Sequence, residues 1–235
     1  RKRHHPQGPS APARRRDMSQ PKAALRAQVS AALAALAPAT IISQSEAVLS
    51  HLRALPVFAN CKSASVFLPI DGGAEVDTWP IVADLLSRGA SVAIPRVAGK
   101  QPDDLTLLRL SGSLAEAKEL PRTKWGIPEP TAQLAAAMED ATEAADISLL
   151  LVPGVAFDSR CGRLGHGRGY YDGLIGKQRQ VPREGGAALT VVGLSLREQM
   201  IDMVPMGDRD QRLDMVITPD GLLSFTSAED QANAA

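Results

Sequence analysis

Apolar residues recur along this chain with two different periods. Leu25, Val29, Leu33 and Leu36 follow at spacings of four and three, so an amphipathic helix is predicted from Ser19 to about Ala37, with Pro21 in its first turn. Pro38 ends that pattern, and a second helix is expected from a Thr40 cap to Pro56, burying Ile42, Val48, Leu49, Leu52 and Leu55. Short apolar runs then alternate with helical patterns. Strands are predicted at Ser65–Leu68, Val92–Ile94, Leu149–Val152, Leu189–Leu194 and Leu213–Ile217, and helices at Trp79–Arg88 and from Tyr170 to Ile175. The segment LTLLRL at 105–110 reads as an edge strand or hairpin arm, and a charged helical stretch follows at 114–120. Three prolines and a glycine make 121–130 a rigid extended loop carrying Trp125. Ala132–Ala144 is expected to form a surface helix, and 177–187 an exposed connection. Strand, helix and strand in succession imply parallel pairing through a right-handed crossover, and hence one α/β domain.

Length and composition leave that picture intact. A chain of 235 residues with 44% hydrophobic content is long enough for a substantial core, and nowhere does it hold an apolar run of 18 residues, the usual mark of a membrane helix. Lys plus Arg and Asp plus Glu both number 26, but residues 1–18 take six of the basic ones and a single Asp. The remainder is therefore net −5, with 20 basic and 25 acidic residues, which argues against a general nucleic-acid surface. Residues 1–18 mix Arg, His, Pro, Ser and Gly without periodicity and read as a disordered basic leader. A targeting peptide, residual sequence ahead of a start at Met18, and a solvated tail are all compatible with it. The domain is expected to span 19–223, with a frayed tail over 224–235. A cytoplasmic location is expected, or a mitochondrial one if the leader directs it there.

Chemistry concentrates after the apolar run Leu149–Val152. Within RLGHGRGYYD at 163–172, Gly165, Gly167 and Gly169 occupy every second position, with Arg163, His166 and Arg168 beside or between them. Such a loop brings backbone N–H groups close to an anion while the cations neutralise it, and a helix starting at Tyr170 adds its N-terminus. Asp172, just inside that helix, supplies a carboxylate for Mg²⁺, so the set suits a nucleotide polyphosphate. The spacing matches neither the Walker loop nor the dinucleotide fingerprint. Lys22 and Arg26 lie four apart on one face of the first helix. Glu75 and Asp77 follow the first strand at its carboxyl end, where open α/β sheets place ligands, although helix capping near Thr78 explains them equally well. Cys61 and Cys161, 100 residues apart without a CxxC, form no zinc or disulfide framework, and no separate histidine is placed to activate Cys161. His51 is assigned no role.

The loop and its surroundings resemble a known family. PGVAFD followed by GRLGHGRGYYD resembles the signature of the 5-formyltetrahydrofolate cyclo-ligases, also called methenyltetrahydrofolate synthetases. KAALR at 22–26, EVDT at 75–78, TKWGIPEP at 123–130, REQMIDMVP at 197–205 and DQRLDMVIT at 210–218 resemble that family's blocks in its order, from Pro21 to Pro219. The resemblance implies a single three-layer domain with a mainly parallel sheet, like sugar-phosphate isomerases and CoA transferases. It implies ATP-dependent, Mg²⁺-requiring conversion of 5-formyltetrahydrofolate to 5,10-methenyltetrahydrofolate by a monomer that needs no nucleic acid or membrane.

Carried over residue by residue, the resemblance implies nucleotide contacts from Lys22, Arg26 and Arg163, Leu164, Gly165, His166, Gly167, Arg168, Gly169, Tyr170 and Tyr171. It implies folate contacts from Leu68, Glu75 and Trp125 and from His166, Gly167, Arg168, Gly169 and Tyr170. Arg163, Gly167, Arg168 and Tyr170 would act on the reacting groups, and Asp172 and Asp210 would accompany Mg²⁺. Asp208 is a second candidate in MGDRDQ, with Asp210 favoured by its spacing of four to Asp214. His166 stands where family members vary, and DGGAE is two residues longer than shorter versions of that loop. Two other readings keep the same fold: ATP-independent sugar-phosphate chemistry, and a folate-binding module without turnover.

Overall fold

The structure is a computed structural model that describes residues 19–183 and 188–225. Its elements are α1 (Ser19–Ala34), α2 (Pro38–Arg53), α3 (Pro56–Ala59), β1 (Ser63–Val66), α4 (Trp79–Ser87), β2 (Ser91–Val97), β3 (Leu105–Arg109), α5 (Leu114–Lys118) and α6 (Ala132–Ala135). They continue with β4 (Leu149–Val152), β5 (Ala156–Phe157), β6 (Arg163–Leu164), α7 (Tyr170–Gln180), β7 (Thr190–Leu194), β8 (Met215–Thr218) and β9 (Gly221–Ser224). Seven strands form one sheet in the order β3-β2-β1-β4-β7-β8-β9, and β5 with β6 makes a separate small hairpin. The five inner strands run parallel, and the two edge strands, β3 and β9, pair antiparallel.

Alternation along β4 shows why the sheet is covered on both faces. Leu149 and Leu151 pack into one core with Val48, Leu52, Ile81 and Leu85 from α2 and α4. Leu150 and Val152 pack into the other with Phe157 and with Leu174 and Ile175 from α7. Two helical layers around a central sheet make the three-layer α/β domain, and an unbroken apolar strand is the expected sequence of its middle.

The chain leaves β1 toward β2 on one side and returns as β4 on the other, so the connections diverge between β1 and β4. The crevice beyond their carboxyl ends is the usual ligand position in such sheets. Loop 67–78 after β1 and loop 153–169 after β4 both open there.

Five local expectations need correction. Pro38 itself starts α2 at its first helical position, with Ala37 as the cap in place of Thr40. Ile42 is 57% exposed, outside the buried stripe of Gln44, Ser45, Val48, Leu49 and Leu52. Pro56, expected only to stop α2, opens the short helix α3. Of the helix expected over 132–144, only Ala132–Ala135 forms, capped by the Thr131 hydroxyl accepting from Leu134 N–H. Beyond it Glu139 O accepts from Arg109 N–H and Ala141 N–H donates to Leu107 O, so the segment covers the open edge of β3. Edge pairing outweighs the helix preference of the alanines. Ser224 is not frayed: it ends β9 opposite Met215, and Phe225 N–H donates to Asp214 O. The basic leader and residues 226–235 lie outside the described residues.

β2 also runs through Pro95, which pairs with Leu107 of β3. The β1 ladder has already ended at Ala93, so Pro95 meets no strand on that side and its missing N–H disrupts nothing there.

Candidate active site

The hairpin β5–β6 carries Arg163 to the crevice. The Arg163 side chain is almost wholly buried, and its Nη2 lies 2.9 Å from Asp172 Oδ2. Its guanidinium carbon stands 5.6 Å from the centre of the Tyr171 ring, and its Nε is buried with no hydrogen-bond partner among the described residues. A Cβ on Gly165 would sit 2.7 Å from Arg163 Nη1, so any other residue there would push the guanidinium from its place against the loop. Gly169 caps α7 with φ +75°, a left-handed conformation that glycine adopts without strain. With it, the first N–H groups of α7 follow directly on the cationic loop, an arrangement suited to an anion.

The N-terminal helix completes this wall. Leu25, Val29 and Leu33 of α1 pack on a satellite cluster of Val155, Ala156, Leu164, Ile201, Val204 and Met206. That seat delivers Arg26 to the loop, where Nε donates 2.7 Å to Gly165 O, and Lys22 to Asp210 Oδ2 at 2.5 Å. Asp210 Oδ2 also accepts from Gly207 N–H at 2.6 Å. Asp172 Oδ1 accepts from Gln211 N–H at 2.9 Å, so the two carboxylates are linked through one peptide segment. The charges on this wall thus pair two cations with two carboxylates. His166 stands on the loop near Arg26 and Arg163; desolvation, with the two arginine charges adding to it, holds its imidazole below the usual range and favours the neutral form.

The facing wall comes from the other side of the switch point. Glu75 turns back along its own loop, and its Oε1 accepts from Ile70 N–H at 2.6 Å. Burial pushes its carboxyl up to about 7, with the Ile70 N–H pulling against that shift. Burial raises the Tyr171 hydroxyl, with the Glu75 charge adding to that shift and Arg163 opposing it. Asp77 takes the capping role: its Oδ1 accepts from Trp79 N–H at the start of α4. Loop 121–130 is tied to the Glu75 loop by Asp71 N–H donating to Gly126 O and by Arg122 Nε on Asp71 Oδ2 at 2.7 Å. Trp125 on that loop stands 64% exposed, with Lys124 Nζ 4.4 Å above its ring. Leu68 is buried in the main core.

Among the sequence-predicted positions, the structure therefore joins Lys22, Arg26, Arg163, Gly165, Asp172 and Asp210 on one wall and holds Glu75 on the loop after β1. Leu164 is buried in the satellite cluster and Arg168 is exposed. Tyr170 has a different engagement from the one expected: its hydroxyl donates 2.8 Å to Gly99 O, tying α7 to the turn before β3. Tyr170→Phe is therefore expected to cost about 1 kcal/mol of stability and to leave kcat within threefold, measured by urea denaturation and steady-state turnover. Cys161 is not a nucleophile in waiting. Its thiol is buried and pushed up to about 11, chiefly by burial, and its φ of +59° marks a turn position. Asp158 escaped the sequence reading, although it is the only acid inside PGVAFD; its burial at 2% exposure could not be read from spacing. Two open hollows of about 510 and 280 Å³, one lined by Asp103, Asp140 and Lys177 and the other by Arg96, Arg122 and Glu129, lie apart from these groups.

Comparison with known proteins now decides the lineage. The family model of the 5-formyltetrahydrofolate cyclo-ligases matches residues 18–219. The chain belongs to that family. A probable 5-formyltetrahydrofolate cyclo-ligase of Schizosaccharomyces pombe is 34% identical over 210 residues, covering 88% of this chain and 98% of the relative. The 5-formyltetrahydrofolate cyclo-ligase of Mus musculus is 31% identical over 199 residues, covering 85% and 94%. The structure of the 5,10-methenyltetrahydrofolate synthetase of Aquifex aeolicus superposes with a TM-score of 0.67 at 28% identity, covering 88% of this chain and 94% of that one. The match with the cyclo-ligase family thus spans both walls of the crevice, from Lys22 to Asp210.

Proposed function

We propose that this chain carries out the ATP-dependent cyclisation of 5-formyltetrahydrofolate to 5,10-methenyltetrahydrofolate, releasing ADP and phosphate. The observation that carries this reading is the buried Arg163 guanidinium on the glycine loop, paired with Asp172 where Lys22 and Arg26 also converge, in a chain that matches the cyclo-ligase family over residues 18–219. Lys22, Arg26, Arg163 and the N–H groups at the start of α7 hold the triphosphate. Glu75 accepts N–H donors from the pterin edge, with Trp125 at the mouth.

The chemical obstacle is a poor leaving group, since a formamide oxygen does not depart as hydroxide near neutral pH. In this mechanism the formyl oxygen attacks the γ-phosphorus and ADP leaves. N10 then attacks the activated formyl carbon and loses its proton, and cleavage of the carbon–oxygen bond expels phosphate. The protein's share is alignment and charge stabilisation. Arg163 is suited to the transferring phosphoryl group, because its Nε is buried and unpartnered beside the glycine loop.

Among the described residues no three His, Cys, Asp or Glu side chains converge on one point. Mg²⁺ commonly takes one or two carboxylates and completes its shell with phosphate oxygens and water, so Asp172 and Asp210 fit it as a pair. Bound there, the ion would neutralise phosphate charge; the two carboxylates now pair with Lys22 and Arg163. The reading also takes the protein as a monomer that acts in the cytoplasm on small molecules. No single helix among the described residues is long and apolar enough to cross a membrane.

The test is spectroscopic. Mixing the protein with MgATP and 5-formyltetrahydrofolate is expected to produce the near-UV absorbance of methenyltetrahydrofolate, with one ADP per product. A folded protein that gives no absorbance change overturns the proposal, as does equal turnover without ATP.

A further inference from the structure

The two walls rest on different parts of the core. Glu75 and loop 121–130 are anchored to the β1 side through Ile70 and Asp71, whose loop runs into the main core at Phe67 and Leu68. The seat of α1 is a separate cluster, built from the β5–β6 hairpin and the segment 201–206. One buried side chain joins these two pieces. Asp158, 2% exposed, accepts from Arg160 N–H at 2.9 Å and Gly162 N–H at 2.8 Å through Oδ1, and from Val204 N–H at 2.7 Å through Oδ2. The first two bonds shape the turn that ends at Arg163. The third fixes the strip that Leu25 and Val29 of α1 lean on.

We infer that Asp158 is the positioning residue of the nucleotide wall: it sets the register of Arg163 and the seat of α1 together, and so governs ATP affinity but not folate affinity. The inference rests on the proposed ATP-dependent reaction. Three backbone donors converge on one carboxylate, and each is charge-assisted, so the turn is held far more firmly than by a neutral acceptor. Asn in its place would present an amide donor to at least one N–H, leaving that pair without an acceptor. The loss is transmitted along two short paths. Gly162 directly precedes Arg163, and Val204 shares its cluster with Leu25 and Val29, one helical turn from Lys22 and Arg26. Glu75 and loop 121–130 are held instead by Ile70 and Asp71, outside the hydrogen bonds and packing of both paths.

Two variants test this. Asp158→Asn removes the acceptor, whereas Gly162→Ala keeps the carboxylate but places a Cβ 2.7 Å from Asp158 Oδ2, which displaces it. Both are to be assayed as the full chain, with KM for ATP and for 5-formyltetrahydrofolate measured separately by absorbance. Each variant is expected to raise the KM for ATP at least tenfold and to change the folate KM less than twofold. Equal rises in both KM values, or a lowered Tm with both KM values unchanged, would overturn the inference and leave Asp158 a general stabiliser. Absence of turnover in the unsubstituted protein would instead sink the reaction itself, so the two failures are told apart.

Discussion

Arg163→Ala is expected to lower kcat about a thousandfold, a loss typical of removing a preorganised charge from a phosphoryl-transfer site. The side chain is buried, one end bonded to Asp172 and its Nε aimed at no protein acceptor. Truncation also strands Asp172, whose Oδ2 loses its ion-pair partner, and breaking a buried ion pair from one side costs roughly 3 kcal/mol. Activity and stability therefore fall together in the single variant. Pairing Arg163→Ala with Asp172→Asn separates them, because the orphaned charge is then gone. The double variant is expected to recover most of the stability in urea denaturation and none of the turnover. Recovery of turnover would mean that Arg163 serves only to neutralise Asp172.

Glu75→Gln is expected to act in opposite directions on stability and on substrate binding. The Glu75 carboxyl lies at about 7 in the folded protein against an ordinary value of 4.5. A raised carboxyl means that folding prefers the protonated form. Its stabilising contribution is therefore complete below about pH 4.5 and is lost as the pH rises through about 7. At pH 8 the buried carboxylate costs at most about 3 kcal/mol, which glutamine does not incur. The variant should thus be more stable than the parent at pH 8, nearly equal at pH 4, and flatter between them, measured by denaturant midpoints across that range. Its KM for 5-formyltetrahydrofolate should rise about a hundredfold, since an amide N–H would face the pterin donors that a carboxylate accepts. A folate KM unchanged by the substitution would remove Glu75 from the site.

Much of the fold was legible because the strands announce themselves. The run Leu149–Val152 predicts the buried middle of a parallel sheet, and that is its place, between β1 and β7. Ambiguity entered where tertiary pairing overrides local preference. The alanines after Thr131 favour helix, but the open edge of β3 takes their backbone hydrogen bonds. β9 escaped prediction because GLLS after Pro219 is too short and exposed to carry a period. The glycine loop was legible from its alternation, and Lys22 with Arg26 from their spacing of four. What spacing cannot give is pairing across the chain. That Asp172 grips both Arg163 and Gln211, that Tyr170 spends its hydroxyl on Gly99, and that Asp158 lies at the centre of the hairpin all depend on contacts between distant segments.

The bond from Lys22 to Asp210 spans 188 positions, and that from Arg26 to Gly165 spans 139. On the ribosome, where the chain emerges from its N-terminus at about 5–20 residues per second, α1 appears first and waits longest for its partners. Loop 67–78 and loop 121–130 have been made before the glycine loop exists. The two loops of the facing wall are therefore made early, whereas the contacts of Lys22 and Arg26 close only when the glycine loop and the segment around Asp210 have been synthesised. A nascent chain interrupted before that point holds α1 without the carboxylate that pins Lys22.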